Sequence, residues 1–155
     1  MKYTRLTKEQ FEELHQEFIN FIATQSITVE EWKTIKKSTP EVAEEELDVF
    51  SDVVWEGVLN KVSYLEHISP QQMHLFHLTE NNMQVIAVKL KRDLDLTTNE
   101  GFNWLRENLL HDDVEFLQAK KEYTKDKSLD KFTLIQQGAV ITKGDLFTYL
   151  DKLIN

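Results

Sequence analysis

The stretch MHLFHLTENNMQVIAVKL, residues Met73–Leu90, decides the fold class. Two apolar-rich runs, Met73–Leu78 and Met83–Leu90, flank the polar tetrad Thr79-Glu80-Asn81-Asn82. Two such runs around a short polar turn predict a β-hairpin. Upstream, Val62–Ile68 is a weaker strand candidate, stopped by Ser69-Pro70. Three antiparallel strands of this kind make a small meander with one face left for helices to cover.

On both sides of this segment the apolar period changes from two to about 3.6. Thr7 with Gln10 forms a capping box ahead of Phe11, Leu14, Phe18, Phe21 and Ile22, an apolar helical face. Thr28 with Glu31 opens a second helix, which turns Trp32 and Ile35 inward and runs to about Lys37. Thr39-Pro40 places a cap and a first-turn proline at the head of a third helix, Pro40 to about Lys61. Its expected apolar face is Val42, Leu47, Phe50, Val53, Val54 and Val58. After the strands, Thr97 with Glu100 leads into Phe102, Leu105 and Leu109, and Asp112 with Glu115 predicts a helical restart that turns Phe116, Leu117 and Tyr123 inward. Ser128 opens a helix holding Phe132 and Ile135, ended by Gly138, and Thr142 opens a last one with Leu146, Phe147, Leu150 and Leu153. Helices before and after a block of strands give the α+β class. The expectation is a single domain, 1–155, helical over 7–61, β over 62–90 with about three strands, and helical over 97–154.

Composition narrows the function. The chain has 155 residues, 18 lysines and arginines against 27 aspartates and glutamates, and a net charge of −9. Such a balance repels nucleic acid and anionic lipid, which require a basic face. The acidic excess is concentrated in residues 1–50, with six basic and eleven acidic side chains. The absence of cysteine removes thiolate ligands and nucleophiles and suits a reducing compartment. The opening MKYTRLTKEQFEEL lacks the apolar core of a secretory signal, and no window approaches a membrane span. A cytoplasmic location is the expectation.

Three stretches carry a family resemblance: KYTRLTKEQFEELHQEFINF (2–21), EELDVFSDVVWEGVLNKVSYLEH (45–67) and QGAVITKGDLFTYLDKLI (137–154). Along nearly its whole length the chain resembles a family of small bacterial proteins known only as a domain of unknown function. The resemblance implies a small intracellular protein and brings no activity, cofactor or site residue.

No catalytic or cofactor motif stands out. Glycine-rich phosphate loops, a GxSxG elbow and HExxH are absent. Asp93-x-Asp95 and Asp126-x-Ser128-x-Asp130 start like calcium loops. They carry Thr98 and Lys131 where the sharp turn needs glycine, and Trp104 and Gln137 where the bidentate glutamate belongs. The C-terminal helix pair has helix-turn-helix lengths, but its second helix offers Lys143, Asp145, Thr148, Tyr149, Asp151 and Lys152, with no arginine to read guanine. Glu12-x-x-His15 has metal-pair spacing, but the pair occurs once and His15 lies inside an apolar arc.

The third helix offers the sharpest functional reading. Glu45, Asp48, Asp52 and Glu56 form an acidic stripe at intervals of three or four residues. Trp55 and Leu59, four apart, fall on the acidic side of the wheel. Apolar side chains placed there meet another element of the chain or a partner. An aromatic anchor ringed by carboxylates suits a basic, partly apolar protein surface. The expected function is therefore protein interaction or self-association through Trp55, Leu59, Glu45, Asp48, Asp52 and Glu56, with no cofactor. The alternative is a small-ligand or metal-binding protein using His67, His74 or His77 in a sheet-and-helix cleft. His74 and His77, three apart in a strand, point to opposite faces, and His67 could approach either.

Overall fold

A computed structural model describes residues 1–155. The class is α+β, with seven helices and one five-stranded antiparallel sheet. The chain divides into two compact units, Met1–Asn60 and Lys61–Asn155.

The first unit is helical: α1 (Lys8–Glu13), α2 (His15–Ala23), α3 (Val29–Ser38) and α4 (Pro40–Lys61). Thr7 and Gln10 form the expected capping box, and the Thr28 side chain accepts from the Glu31 amide at the head of α3. The core is aromatic. Phe18 meets Trp32 and Phe50 edge-on, with ring centres 5.0 and 5.1 Å away, and Phe11 stacks on Phe50. Such pairs add about 0.5–1.5 kcal/mol each beyond the area they bury. Helix α4 turns part of the expected face inward, Leu47, Phe50 and Val54, but not its valines at 42, 53 and 58. Val42, Val53 and Val58 are exposed, while Ala43, Phe50, Ser51 and Leu59 are buried. The inward line runs Ala43, Leu47, Phe50, Val54 at helical spacing. Its small members, Ala43 and Ser51, carry little hydropathy signal, so the valines pulled the expected face to one side. Ser51 is satisfied within this core, donating to the Leu47 carbonyl at 2.7 Å and accepting from the Leu6 amide at 3.1 Å.

The second unit is built on a sheet of β1 (Tyr64–Ser69), β2 (Gln72–Leu78), β3 (Asn82–Leu90), β4 (Val114–Glu122) and β5 (Val140–Ile141), in the order β4-β3-β2-β1-β5. The expected hairpin is present, with Leu78 opposite Met83 at its turn. Two strands exceed the expected three. Residues 114–122 were expected to be helical, and their Glu, Leu, Gln, Ala and Lys content does favour helix. Pairing along the whole length of β3 outweighs that preference, and Val114 and Phe116 then share one face at period two. β5 is too short to leave a periodic signal.

Helices α5 (Asn99–Glu107) and α7 (Asp145–Ile154) cover one sheet face, where Met73, Leu75, Ile86 and Val88 pack with Leu105, Phe147 and Leu150. Helix α6 (Lys127–Gln136) contributes Leu134 and Ile135 to the other face, against Leu65, Leu78 and Ala139. The caps are offset from those expected: Thr98 caps α5, Asp126 caps α6, and Gly144 stands at the head of α7. Gly144 has φ +83°, and a Cβ there would lie 2.4 Å from the Tyr64 ring. Only glycine lets α7 start this close to β1.

Candidate functional site

On α4 the acidic stripe is engaged by the chain's own residues 2–5. The backbone amides of Lys2 and Tyr3 donate to the two oxygens of Asp52, at 2.7 and 2.9 Å. The Tyr3 hydroxyl donates to Glu56, and the Lys2 ammonium lies 3.5 Å from the same carboxylate. Arg5 bridges Asp48, at 2.7–2.8 Å, and Glu44. The stripe was expected to meet a basic, partly apolar protein surface, and Lys2, Tyr3 and Arg5 supply basic and aromatic contacts to it within the same unit. Of the expected site residues, Glu45 is exposed, Trp55 is half-buried beside the aromatic core, and Leu59 is fully buried. Leu59 is therefore no surface anchor. It stands on the acidic side of α4, where the wheel reading put it, and other parts of the chain cover it there.

The three histidines do not converge. His67 and His74 are cross-strand partners on the face that carries Leu65 and Phe76. His77 is on the opposite face, stacked on Tyr64 with ring centres 4.5 Å apart and tilted against Phe147 at 5.3 Å. Burial, and then the charges of His67 and Lys89, hold the His74 pKa below its ordinary value. No group of three His, Asp or Glu side chains is arranged to hold a metal ion. Asp95 and Asp126, the starts of the two calcium-like motifs, are spent on the turn at Thr97 and on the α6 cap.

A cavity lies on the other side of the sheet, within the Lys61–Asn155 unit. It has a volume of about 640 Å³ and is bounded by β1, β2, α5 and α7. Its walls are apolar: Ile68 and Met73 from the sheet, Phe102, Leu105 and Leu109 from α5 and the residues after it, Leu146 and Leu150 from α7. The size falls in the range of small-molecule sites, roughly 300–1,000 Å³. Four polar side chains reach it: Glu66, Arg106, Asp145 and Tyr149. Glu66 is half-buried on the sheet face it shares with Tyr64 and Ile68. Its carboxyl is pushed above the ordinary range, first by burial and also by the nearby charge of Asp145, against a hydrogen bond from the Thr142 hydroxyl. Asp145 follows Gly144, so the glycine that seats α7 on Tyr64 also brings this second carboxylate toward Glu66. The guanidinium of Arg106, in the last turn of α5, forms no hydrogen bond or ion pair within the chain.

None of these four was singled out as a site from sequence. For Glu66 a signal existed: once 64–69 is a strand, an acid stands between Tyr64 and Ile68 on an otherwise apolar face. Arg106 and Tyr149 carried none, because an exposed arginine and tyrosine on amphipathic helices are ordinary.

No helix is long and apolar enough to cross a membrane. No curated protein and no solved structure matches the chain. The match to a family model is complete, running over residues 1–155, and on it the chain belongs to DUF6495, a family of unknown function.

Proposed function

We propose that the Lys61–Asn155 unit binds a small amphipathic molecule in the cavity between its sheet and helices α5 and α7. The ligand's apolar body packs against Ile68, Met73, Phe102 and Leu146. A cationic or hydrogen-bond-donating group meets Glu66 and Asp145, and an anionic or accepting group meets Arg106. One observation carries this reading: an apolar cavity of about 640 Å³ is flanked by a half-buried carboxyl with a raised pKa and by a guanidinium with no partner in the chain. Apolar walls with a few convergent polar groups are the usual composition of a ligand site. Arg106 also complements the dipole at the C-terminus of α5, worth about 0.3–1 kcal/mol. That role explains its position on the helix but not its lack of a carboxylate partner in so acidic a chain. The α4 stripe is the weaker candidate, since Asp48, Asp52 and Glu56 are bound by residues 2–5.

The test uses an apolar dye carrying a sulfonate and an aniline N–H, 8-anilinonaphthalene-1-sulfonate, together with native mass spectrometry of gently purified protein. The expected result is one saturable dye site per chain. It should be lost in Leu146→Trp, which fills the cavity, and weakened about tenfold in Arg106→Ala, the equivalent of one charge-assisted contact. A small-molecule adduct in the native spectrum should disappear in the same variants. Absence of dye binding in folded protein, or binding that both variants leave unchanged, overturns the reading.

A further inference from the structure

Strand β4 is the last strand of the sheet and pairs with β3 alone. In an antiparallel ladder every second residue turns its N–H and C=O to the far side, so β4 presents a row of such groups outward. Its nine residues hold an unbroken register with β3, contain no proline, and are exposed from Leu117 onward. Leu117 itself is 43% exposed.

The sequence of this edge, VEFLQAKKE, is complementary to its own reversal. With Gln118 opposite Gln118 of a second copy, Glu115 faces Lys121 twice, and Leu117 faces Ala119 twice, on one side of the joined sheet. On the other side Phe116 faces Lys120. A shift by two residues loses the match: centring on Leu117 sets Glu115 against Ala119, and centring on Ala119 sets Leu117 against Lys121. A shift by one residue is excluded, because it would place side chains of opposite sheet faces side by side. The Glu115 contact with Lys91, 3.9 Å between exposed side chains, is too weak to compete strongly. Gln118, at the centre, is held on its own chain by a reciprocal amide pair with Asn155, which uses its side chain and leaves its backbone for pairing.

We propose that two copies of this chain associate antiparallel through β4, with Gln118 on the two-fold axis, so that the two sheets become one. Isologous contact of this kind is closed and stops at the dimer.

Sedimentation velocity on the full chain over a dilution series tests it. A monomer–dimer equilibrium is expected. Glu115→Lys and Lys121→Glu, each turning two attractive pairs into two repulsive ones, should each weaken dimerisation about tenfold. The double exchange should restore it, because every pair is then again of opposite sign. A second measurement does not depend on the charges. The chain has no cysteine, so Gln118→Cys should form a disulfide-linked dimer under mild oxidation, while Glu122→Cys, far from the axis, should not. A chain that stays monomeric and resists cross-linking at Gln118→Cys overturns the proposal. So does a dimer indifferent to the charge exchanges, which would associate through another surface.

Discussion

In the Met1–Asn60 unit the acids on one flank of α4 find donors a few ångströms away in residues 2–5, and Asp52 takes a backbone amide on each oxygen. In the Lys61–Asn155 unit a comparable set of charges lacks counter-charges: the Arg106 side chain has no partner, and burial, joined by the neighbouring Asp145, raises the Glu66 pKa. The first arrangement closes a structure. The second leaves electrostatic capacity beside an apolar void. The kinds of charge alone do not separate the two situations, although one set lines a single helix and the other comes from β1, α5 and α7. What separates them is whether the chain supplies the counter-charge. Substitutions in the first unit should therefore cost stability, and those around the cavity should cost binding.

The largest effect belongs to the aromatic core. Phe18 is buried and touches Phe21, Trp32 and Phe50, so Phe18→Ala should lower stability by about 3–5 kcal/mol in urea unfolding. A loss below about 1 kcal/mol would mean that this cluster does not hold the unit together. Next is the strap of residues 2–5. Asp52→Ala removes the acceptor of two backbone amides and should cost about 1–2 kcal/mol, reduced because the site is partly in water. The sharper readout is hydrogen exchange: the Lys2 and Tyr3 amides should lose protection while amides inside α2 keep theirs. If protection persists, the stripe is not what holds the segment, and α4 becomes available to a partner after all.

This contrast shows what the sequence could carry. The Met73–Leu90 hairpin, the capping box at Thr7 and the helix start at Thr28 were legible, because their signals are local. β4 was not, since a segment of helix-favouring residues becomes a strand only when β3 offers it a ladder. The acidic stripe was visible and so was its fit to a basic, partly apolar surface. That Lys2, Tyr3 and Arg5 are that surface depends on a return of the chain over more than forty positions, which no periodicity records. The cavity was least legible of all, because a void is made by what four separate elements fail to fill.

Around the cavity the expected stability changes are small. Arg106→Ala removes an exposed side chain whose only expected contribution to stability is the dipole term, so unfolding should shift by no more than about 1 kcal/mol while dye binding drops about tenfold. Comparable losses of stability and binding would place Arg106 among the structural charges and erase the contrast between the two units.

Glu66→Gln has the smallest effect and the most diagnostic sign. The folded state holds the Glu66 proton to a higher pH than the unfolded chain does, whose glutamate titrates near about 4.3. As pH rises from that value through the raised folded one, the unfolded state gives up its proton first, so wild-type stability falls relative to a variant that cannot ionise. Glu66→Gln should therefore match the wild type at acid pH and exceed it slightly at neutral pH, in melting temperatures taken from pH 4 to 7. Titrating groups that do not interact with Glu66 cancel in the difference, and its repulsion with Asp145 acts in the same direction. A wild type that gains on the variant as pH rises would mean that the carboxylate is stabilised where it stands, by Thr142 or another donor. Glu66 would then belong with Asp52 as a charge the chain has answered for itself. The predicted sign instead means that the fold tolerates an ionised carboxyl it would be more stable without, as expected of a group kept for a ligand.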